Sequence, residues 1–330
     1  MAQQHPSQTS AQHDGPRVSV VVPSYNHAPF VAQTLRSIFR QTQPPAELLV
    51  IDDGSADDSA RVAAETLKDC PVPCELIARA NRGLCATLNE GLEKTRGRYF
   101  AYLGSDDLWL PDFLKARVSL LEARARAVLA YGHALLIDER GEVFDCTADW
   151  AAYADGDARA MLLERTIAPM SPTVLYRRAP LERRGWNERA RLEDYELYLR
   201  LSADGEFAFD PRVLSAWRRH ASNTSRDFVW MIEARLEAQA NAAAELGLGD
   251  TELRRYRRAL NFAGAEDLLR LGDKTRALRF LRRGLGGAPS PAALARVFLR
   301  LLAPHSITRL RKQRTRERAA RRYGNISPTK

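Results

Sequence analysis

Residues 48–59 read LLVIDDGSADDS. Four consecutive apolar residues without helical spacing read as a strand buried on both faces, and the polar run that begins at Asp52 reads as the loop in which it ends. The same shape stands on either side of it. VSVVVPSYN at 18–26 passes from β-branched residues into Pro23-Ser24-Tyr25-Asn26, and YFAYLGSDD at 99–107 closes on Ser105-Asp106-Asp107. Helical patterns fill the gaps. Phe30, Val31, Leu35, Ile38 and Phe39 recur at helical spacing until Pro44-Pro45, and Asp57-Asp58-Ser59 can cap a helix through Leu67. Cys74–Ala78 reads as another strand, and Leu84, Leu88 and Leu92 stripe a further helix. Strands alternating with helices make the expected fold an α/β, doubly wound, mainly parallel sheet.

In such a sheet ligands bind in the crevice beyond the carboxyl ends of the strands. The acidic clusters fall there, and gathered carboxylates suit a divalent cation carrying a diphosphate. A third cluster, Glu193-Asp194, opens the helix-like stretch Leu192–Leu201. Past Pro111 the reading is a helix to about Ala125, then a hairpin of 127–137 with 142–144 around Glu139-Arg140-Gly141. Three further strands are expected at 173–176, 207–209 and 213–217. From Arg226 onward helical segments carry Leu/Ala stripes and arginine-rich opposite faces, and segments such as Ala277–Leu285 hint at a helical-hairpin repeat. The expected organisation is a disordered segment at 1–16, an α/β domain at 17–225 with halves 17–110 and 111–225, and a basic helical region at 226–330.

The polar opening lacks the apolar core of a secretory signal, and no run approaches the roughly 18 apolar residues of a membrane span. The expected location is the cytoplasm, including the inner face of the membrane. Cys70, Cys74, Cys85 and Cys146 form no CxxC pair and have no neighbouring His cluster, so reduced thiols are expected instead of zinc or disulfides. The net charge of +9 is unevenly placed. From Arg226 there are 23 Lys and Arg against 10 Asp and Glu, whereas the first 225 residues hold 27 against 31. Such a tail reads as a solvated face, an attachment to an anionic membrane surface, or a nucleic-acid contact. It shows no nucleic-acid reading module and no interleaved aromatics, so nucleic acid ranks last.

Taken in order, VSVVVPSYNHAPF, LLVIDDGSADDS, NRGLCATLNEGLEKTRGRYFAYLGSDDLWLP, SPTVLYRR, LEDYELYLRL and WRRHASNTS resemble the inverting glycosyltransferases of family 2, with the GT-A fold, over residues 17–225. The resemblance implies a nucleotide-sugar site formed by Pro23, Tyr25, Asp52, Asp53, Asn81, Ser105 and Asp106. Tyr25 would stack on the base, and Asp53 would accept an imide N–H, which favours UDP- or dTDP-type donors. It implies a Mn²⁺ or Mg²⁺ ion on Asp106, with Asp107 as a second ligand or an orienting acceptor and His220 as a further ligand or phosphate contact. Arg218 or Arg219 would neutralise the diphosphate. The family often carries an Asp two positions before Asp106, where this chain has Gly104. Glu193-Asp194 matches the catalytic base, with Asp194 preferred, and Met170–Thr173 would line the acceptor side. The implied activity is inverting sugar transfer to a glycan or lipid-linked hydroxyl in polysaccharide or lipopolysaccharide synthesis, with peripheral membrane contact through the basic tail. Gly104 leaves open an alternative, an inactive nucleotide-sugar-fold protein serving as a membrane-docked assembly partner.

Overall fold

A computed structural model describes residues 17–221, 223, 227–324 and 326. The segment 1–16, Ser222, Thr224 and Ser225 of WRRHASNTS, and residues 226, 325 and 327–330 lie outside the described residues.

Four strands build the first half: β1 (Val18–Ser24), β2 (Glu47–Asp52), β3 (Cys74–Ala78) and β4 (Tyr99–Tyr102). They alternate with α1 (Val31–Phe39), α2 (Ser59–Leu67) and α3 (Leu84–Lys94). The strands lie parallel in the order β3-β2-β1-β4. Burial on two faces explains their continuous apolar runs. Val18, Val20, Val22, Leu48 and Val50 pack into one core with α1, and Val21, Leu49 and Ile51 into the other with α3.

Next along the chain come β5 (Leu108–Trp109), α4 (Phe113–Ala123), β6 (Ala127–Ile137), β7 (Val143–Cys146), α5 (Arg159–Leu163), β8 (Leu175–Arg177), α6 (Arg178–Arg184), α7 (Glu193–Leu201) and β9 (Glu206–Arg218). The sheet continues as β4-β8-β6-β9-β5, with β7 paired to β6 as the expected hairpin. Here the parallel rule lapses. β8 runs antiparallel to both β4 and β6, which turns the sheet into a mixed one.

The two strands expected at 207–209 and 213–217 are one strand, β9. The register on β6 jumps from Gly132↔Asp210 to His133↔Val213, so Pro211, which has no N–H to give a ladder, sits in a bulge. Asp210 pins that bulge. Its carboxylate accepts from Arg212 N at 3.0 Å and from the fully buried Arg117 at 2.7 Å, while Arg117 also donates to Thr173 O. Burial alone would raise the Asp210 carboxyl, but hydrogen bonds from Arg212 and the charge of Arg117 outweigh it and hold the group below the ordinary range. Asp210→Asn leaves the Arg117 charge unmatched. It is expected to cost about 3 kcal/mol near neutral pH in denaturant unfolding, because a buried pair that loses one partner keeps an uncompensated ion. The depressed carboxyl contributes its stability above the unfolded Asp range and loses it as pH falls through the folded value, so the gap between the two proteins should close in acid.

Five helices follow: α8 (Phe228–Ala242), α9 (Asp250–Leu271), α10 (Lys274–Gly284), α11 (Pro291–Leu302) and α12 (His305–Tyr323). α9 and α10 form the helical hairpin hinted at by the sequence, turning at Gly272 in the left-handed region at φ 91°. α12 returns to the sheet. Ala319 is buried with Leu135, Ile137, Val143 and Ala216, while Arg316 pairs with Asp138 at 2.8 Å and Arg322 with Asp149 at 2.6 Å. Among the described residues no helix is long and apolar enough to cross a membrane.

Candidate active site

The carboxyl ends of β1, β2 and β4 open on one cleft of about 420 Å³. Of the residues expected at a donor and metal site, Pro23, Tyr25, Asn81, Ser105 and the carboxylates Asp53, Asp106, Asp107 and Glu193 all line it. Asp52, Asp194 and His220 do not, although His220 stands directly behind Asp106.

Asp52 is a turn-former. Its two carboxylate oxygens accept from Ser55 N at 2.9 Å and Ser55 Oγ at 2.7 Å, which fixes the DDGS loop. Gly54, at φ +78°, lets that loop pass so close to the next one that a Cβ would stand 2.7 Å from Asn81 N. Asp53 then reaches across, accepting from Arg82 N at 2.8 Å, from Gly83 N at 2.9 Å and from the Arg79 guanidinium. Three donors already occupy a carboxylate with about four acceptor positions, so one is left for a ligand. Tyr25, half exposed, stands at the cleft mouth, and the buried Ser24 hydroxyl on the cleft wall has no hydrogen-bond partner among the described residues.

At the end of β4 a second cluster forms. His220 Nε2 lies 2.8 Å from Asp106 Oδ2, Asn223 Nδ2 donates to the same oxygen at 3.3 Å, and His27 Nδ1 lies 3.7 Å from Asp106 Oδ1 and 2.8 Å from Ser105 Oγ. One ligand atom from each of His27, Asp106 and His220 lies within 4.8 Å of the other two. Two imidazoles and a carboxylate fit Mg²⁺, with its all-oxygen preference, less well than a transition-metal cation such as Mn²⁺. Burial lowers the His27 imidazole, partly countered by the Asp106 charge, which favours its neutral, ligating form.

His27 was not among the residues expected from sequence. It does not occupy the place of the missing carboxylate: a Cβ at Gly104 would stand 2.9 Å from Asp106 Oδ1, in space the Asp106 carboxylate uses. Asp107, expected as a second ligand or an orienting acceptor, lines the cleft and is hydrogen-bonded on one oxygen. Its Oδ1 accepts from Arg218 N at 2.8 Å, and burial beside Asp106 pushes its carboxyl well above the usual range. The expected diphosphate role of Arg218 and Arg219 is corrected. Arg218 is buried, its guanidinium donating to Asp106 O, Asp138 O and Gln33 Oε1, while Arg219 lies over the Phe144 ring on another side of the sheet. Neither lines the cleft.

Opposite the histidines, α7 begins with Glu193 and Asp194. Burial, then repulsion from Asp194, pushes the Glu193 carboxyl up to about 8. Burial also raises Asp194, but Tyr195 N donates to its Oδ1 at 2.5 Å and the Arg235 charge opposes the rise. The Arg235 charge acts on Asp194 and not on Glu193, so of the two Glu193 holds its proton to the higher pH. A carboxyl raised in the folded state stabilises that state fully below its unfolded range and loses the effect as pH climbs to about 8. Glu193→Gln is therefore expected to melt above the unsubstituted protein at pH about 9 and close to it at pH about 4, readable by differential scanning calorimetry.

The sequence profile of glycosyl transferase family 2 matches residues 19–185, half of the chain, and the chain belongs to that family. Glu193, Asp194 and His220 lie beyond the matched stretch. The chain is 28% identical to the chondroitin synthase of Escherichia coli over 211 residues, which span 64% of this chain and 30% of the synthase. Two solved structures share the GT-A fold. TarS of S. aureus, in complex with UDP-GlcNAc, superposes with a TM-score of 0.60 at 16% identity, covering 82% of this chain and 79% of TarS. A mannosyltransferase of Pyrobaculum calidifontis, in complex with GDP-Man and Mn²⁺, gives 0.57 at 18% identity, covering 87% and 85%.

Proposed function

We propose that the chain is an inverting glycosyltransferase that moves a sugar from a nucleotide diphosphate donor, UDP- or dTDP-type, to a hydroxyl of a glycan or lipid-linked acceptor in cell-surface polysaccharide or lipopolysaccharide synthesis. One observation carries the reading: on a family 2 sheet, His27 and Asp106, the latter backed by His220, line a single cleft together with Glu193, the neighbour of Asp194. Residues 17–225 act as the catalytic unit and 226–330 as an appended basic region that brings the chain to the inner face of the membrane. The chondroitin synthase supports a polysaccharide product, and the nucleotide-sugar complexes of the two structural neighbours support the donor class.

In this reading Tyr25 stacks on the base, and the remaining acceptor position of Asp53 takes its imide N–H. Asn81 Nδ2, which donates to Asp53 O at 2.8 Å, keeps the reading loop closed. His27, Asp106 and His220 hold the cation, with Asp107 orienting the strand end through Arg218 N. When bound, a Mn²⁺ ion supplies positive charge to stabilise the departing diphosphate. Asp194, whose ionised form the Arg235 charge favours against burial, takes the acceptor hydroxyl proton, and attack from the face opposite the leaving group inverts the anomeric configuration. Glu193, protonated near neutral pH, offers a hydrogen bond from the cleft wall.

The test is a donor screen: UDP- and dTDP-sugars with Mn²⁺ and a glycan or lipid-linked acceptor extract, monitored for nucleoside diphosphate release. Release that depends on acceptor and metal supports transfer. Calorimetric nucleotide binding without turnover on any acceptor would favour instead the inactive assembly partner that Gly104 suggests.

A further inference from the structure

We infer that the corner joining α11 to α12 inserts into the surface of an anionic lipid bilayer, and that a cationic cavity beside it receives a lipid headgroup phosphate. This deepens the membrane contact proposed above by giving it a face and a ligand chemistry. It rests on that contact and not on the transfer chemistry.

The corner is apolar where water should be. Of the twelve residues of α11 only Ala293 and Val297 are buried. Leu299 is 67% exposed and Leu302 81%, with Phe298 beside them and Ile307 and Leu310 exposed on the first turns of α12. Scattered single leucines are ordinary on a protein surface, but five large apolar side chains within thirteen residues of chain form a patch.

Charge says what covers it. From Lys274 to Arg316 the chain carries 12 Lys and Arg and no Asp or Glu. Some of these cations are matched: Arg300 pairs with Glu266, Arg279 with Glu233 and Arg316 with Asp138. Arg282, Arg283, Arg296, Arg311 and Arg314 have no carboxylate within salt-bridge reach among the described residues. Apolar side chains rimmed by unmatched cations are the signature of a helix lying in a negatively charged lipid interface. A second copy would bring two arginine arrays face to face, and nucleic acid would leave Leu299 and Leu302 in water.

Behind the corner lies a cavity of about 550 Å³, larger than the donor cleft. Leu269, Leu271 and Ile307 give it apolar walls, and Arg219, Arg311 and Lys312 stand at its cationic side, with Asp138 and Asp145 also on the wall. Lys312 Nζ donates to Leu271 O at 3.1 Å, and Arg219 lies over Phe144 with its centre 5.4 Å from the ring. A headgroup phosphate entering from the α11–α12 side would meet those donors while its acyl chains stay with the leucines.

The test is vesicle flotation of the full chain, without donor or acceptor, on phosphatidylcholine vesicles with about 30% phosphatidylglycerol and on phosphatidylcholine alone. The expected result is binding to the first only, weakened by salt. Leu299→Glu with Leu302→Glu should lower partitioning by about 100-fold, and Arg311→Gln by about fivefold, with melting curves unchanged. Equal binding to both vesicles, no binding to either, or undiminished binding of the leucine variant would overturn the inference. Retention of a single-stranded oligonucleotide without vesicle binding, or a dimer that Leu302→Glu dissolves, would overturn it in favour of another occupant. Because no step reads sugar transfer, a failure here leaves the catalytic proposal standing, and the reverse holds as well.

Discussion

Asp106→Asn is expected to abolish Mn²⁺ binding and to lower kcat/KM by about 1000-fold or more. Asp106 is the only carboxylate in the cluster it forms with His27 and His220. Its two oxygens face one histidine each, at 3.7 Å and 2.8 Å, so it is the group that holds both rings toward a common point. An amide keeps the volume but removes the charge and offers an N–H where a ligand oxygen is needed. Two neutral imidazoles would remain, a poor match for a hard dication carrying a diphosphate. Manganese titration followed by electron paramagnetic resonance reads the binding directly, and steady-state nucleotide release reads the rate. His27→Ala should weaken Mn²⁺ affinity by about 10- to 100-fold if the imidazole holds the ion. Activity of Asp106→Asn within tenfold of the parent would remove the cation from this account.

The second large effect belongs to the carboxyl pair. Asp194→Asn is expected to lower kcat by about 100- to 10,000-fold, the usual range for a lost general base, with little change in donor affinity. Glu193→Gln should cost less, because a carboxyl raised to about 8 is already neutral near pH 7 and an amide still donates. The pH profile separates the two. The base must lose its proton to act, and burial holds it above the ordinary range, so activity should climb with pH on a limb displaced upward from that of an exposed Asp. Glu193→Gln should leave that limb nearly where it is, since Glu193 is already neutral over the range in which the base ionises. The opposite pattern, Glu193→Gln inactive and Asp194→Asn active, would make the cleft-lining Glu193 the base.

The parallel half of the sheet was legible because each strand announces itself. VSVVV, LLVI and YFAY are apolar on both faces, and each ends in a polar loop that falls beyond the sheet edge. Pattern failed where the physics is non-local. Asp210-Pro211-Arg212 looks like a break between strands, and only the buried Arg117, 93 residues earlier, shows that it is a bulge held inside one strand. The site divides the same way. Asp53, Asp106, Asp107 and Glu193 were found as acidic clusters at element ends, whereas His27, alone in a loop, carries no spacing signal and gains its meaning from Asp106 and His220 across the fold. Nor does sequence distinguish a carboxylate that faces a ligand from one that holds its own turn: Asp52 and Asp53 are neighbours, yet Ser55 takes both oxygens of the first. The tail was read as basic and helical, but its return to β7 depends on single pairs such as Arg316 with Asp138, 178 residues apart.

The most direct test of the central claim is anomalous diffraction from a crystal grown with UDP and Mn²⁺. The account predicts one manganese peak enclosed by His27, Asp106 and His220, with the diphosphate between it and Glu193. A bound nucleotide with manganese elsewhere, or with these three side chains turned away from the diphosphate, would contradict it.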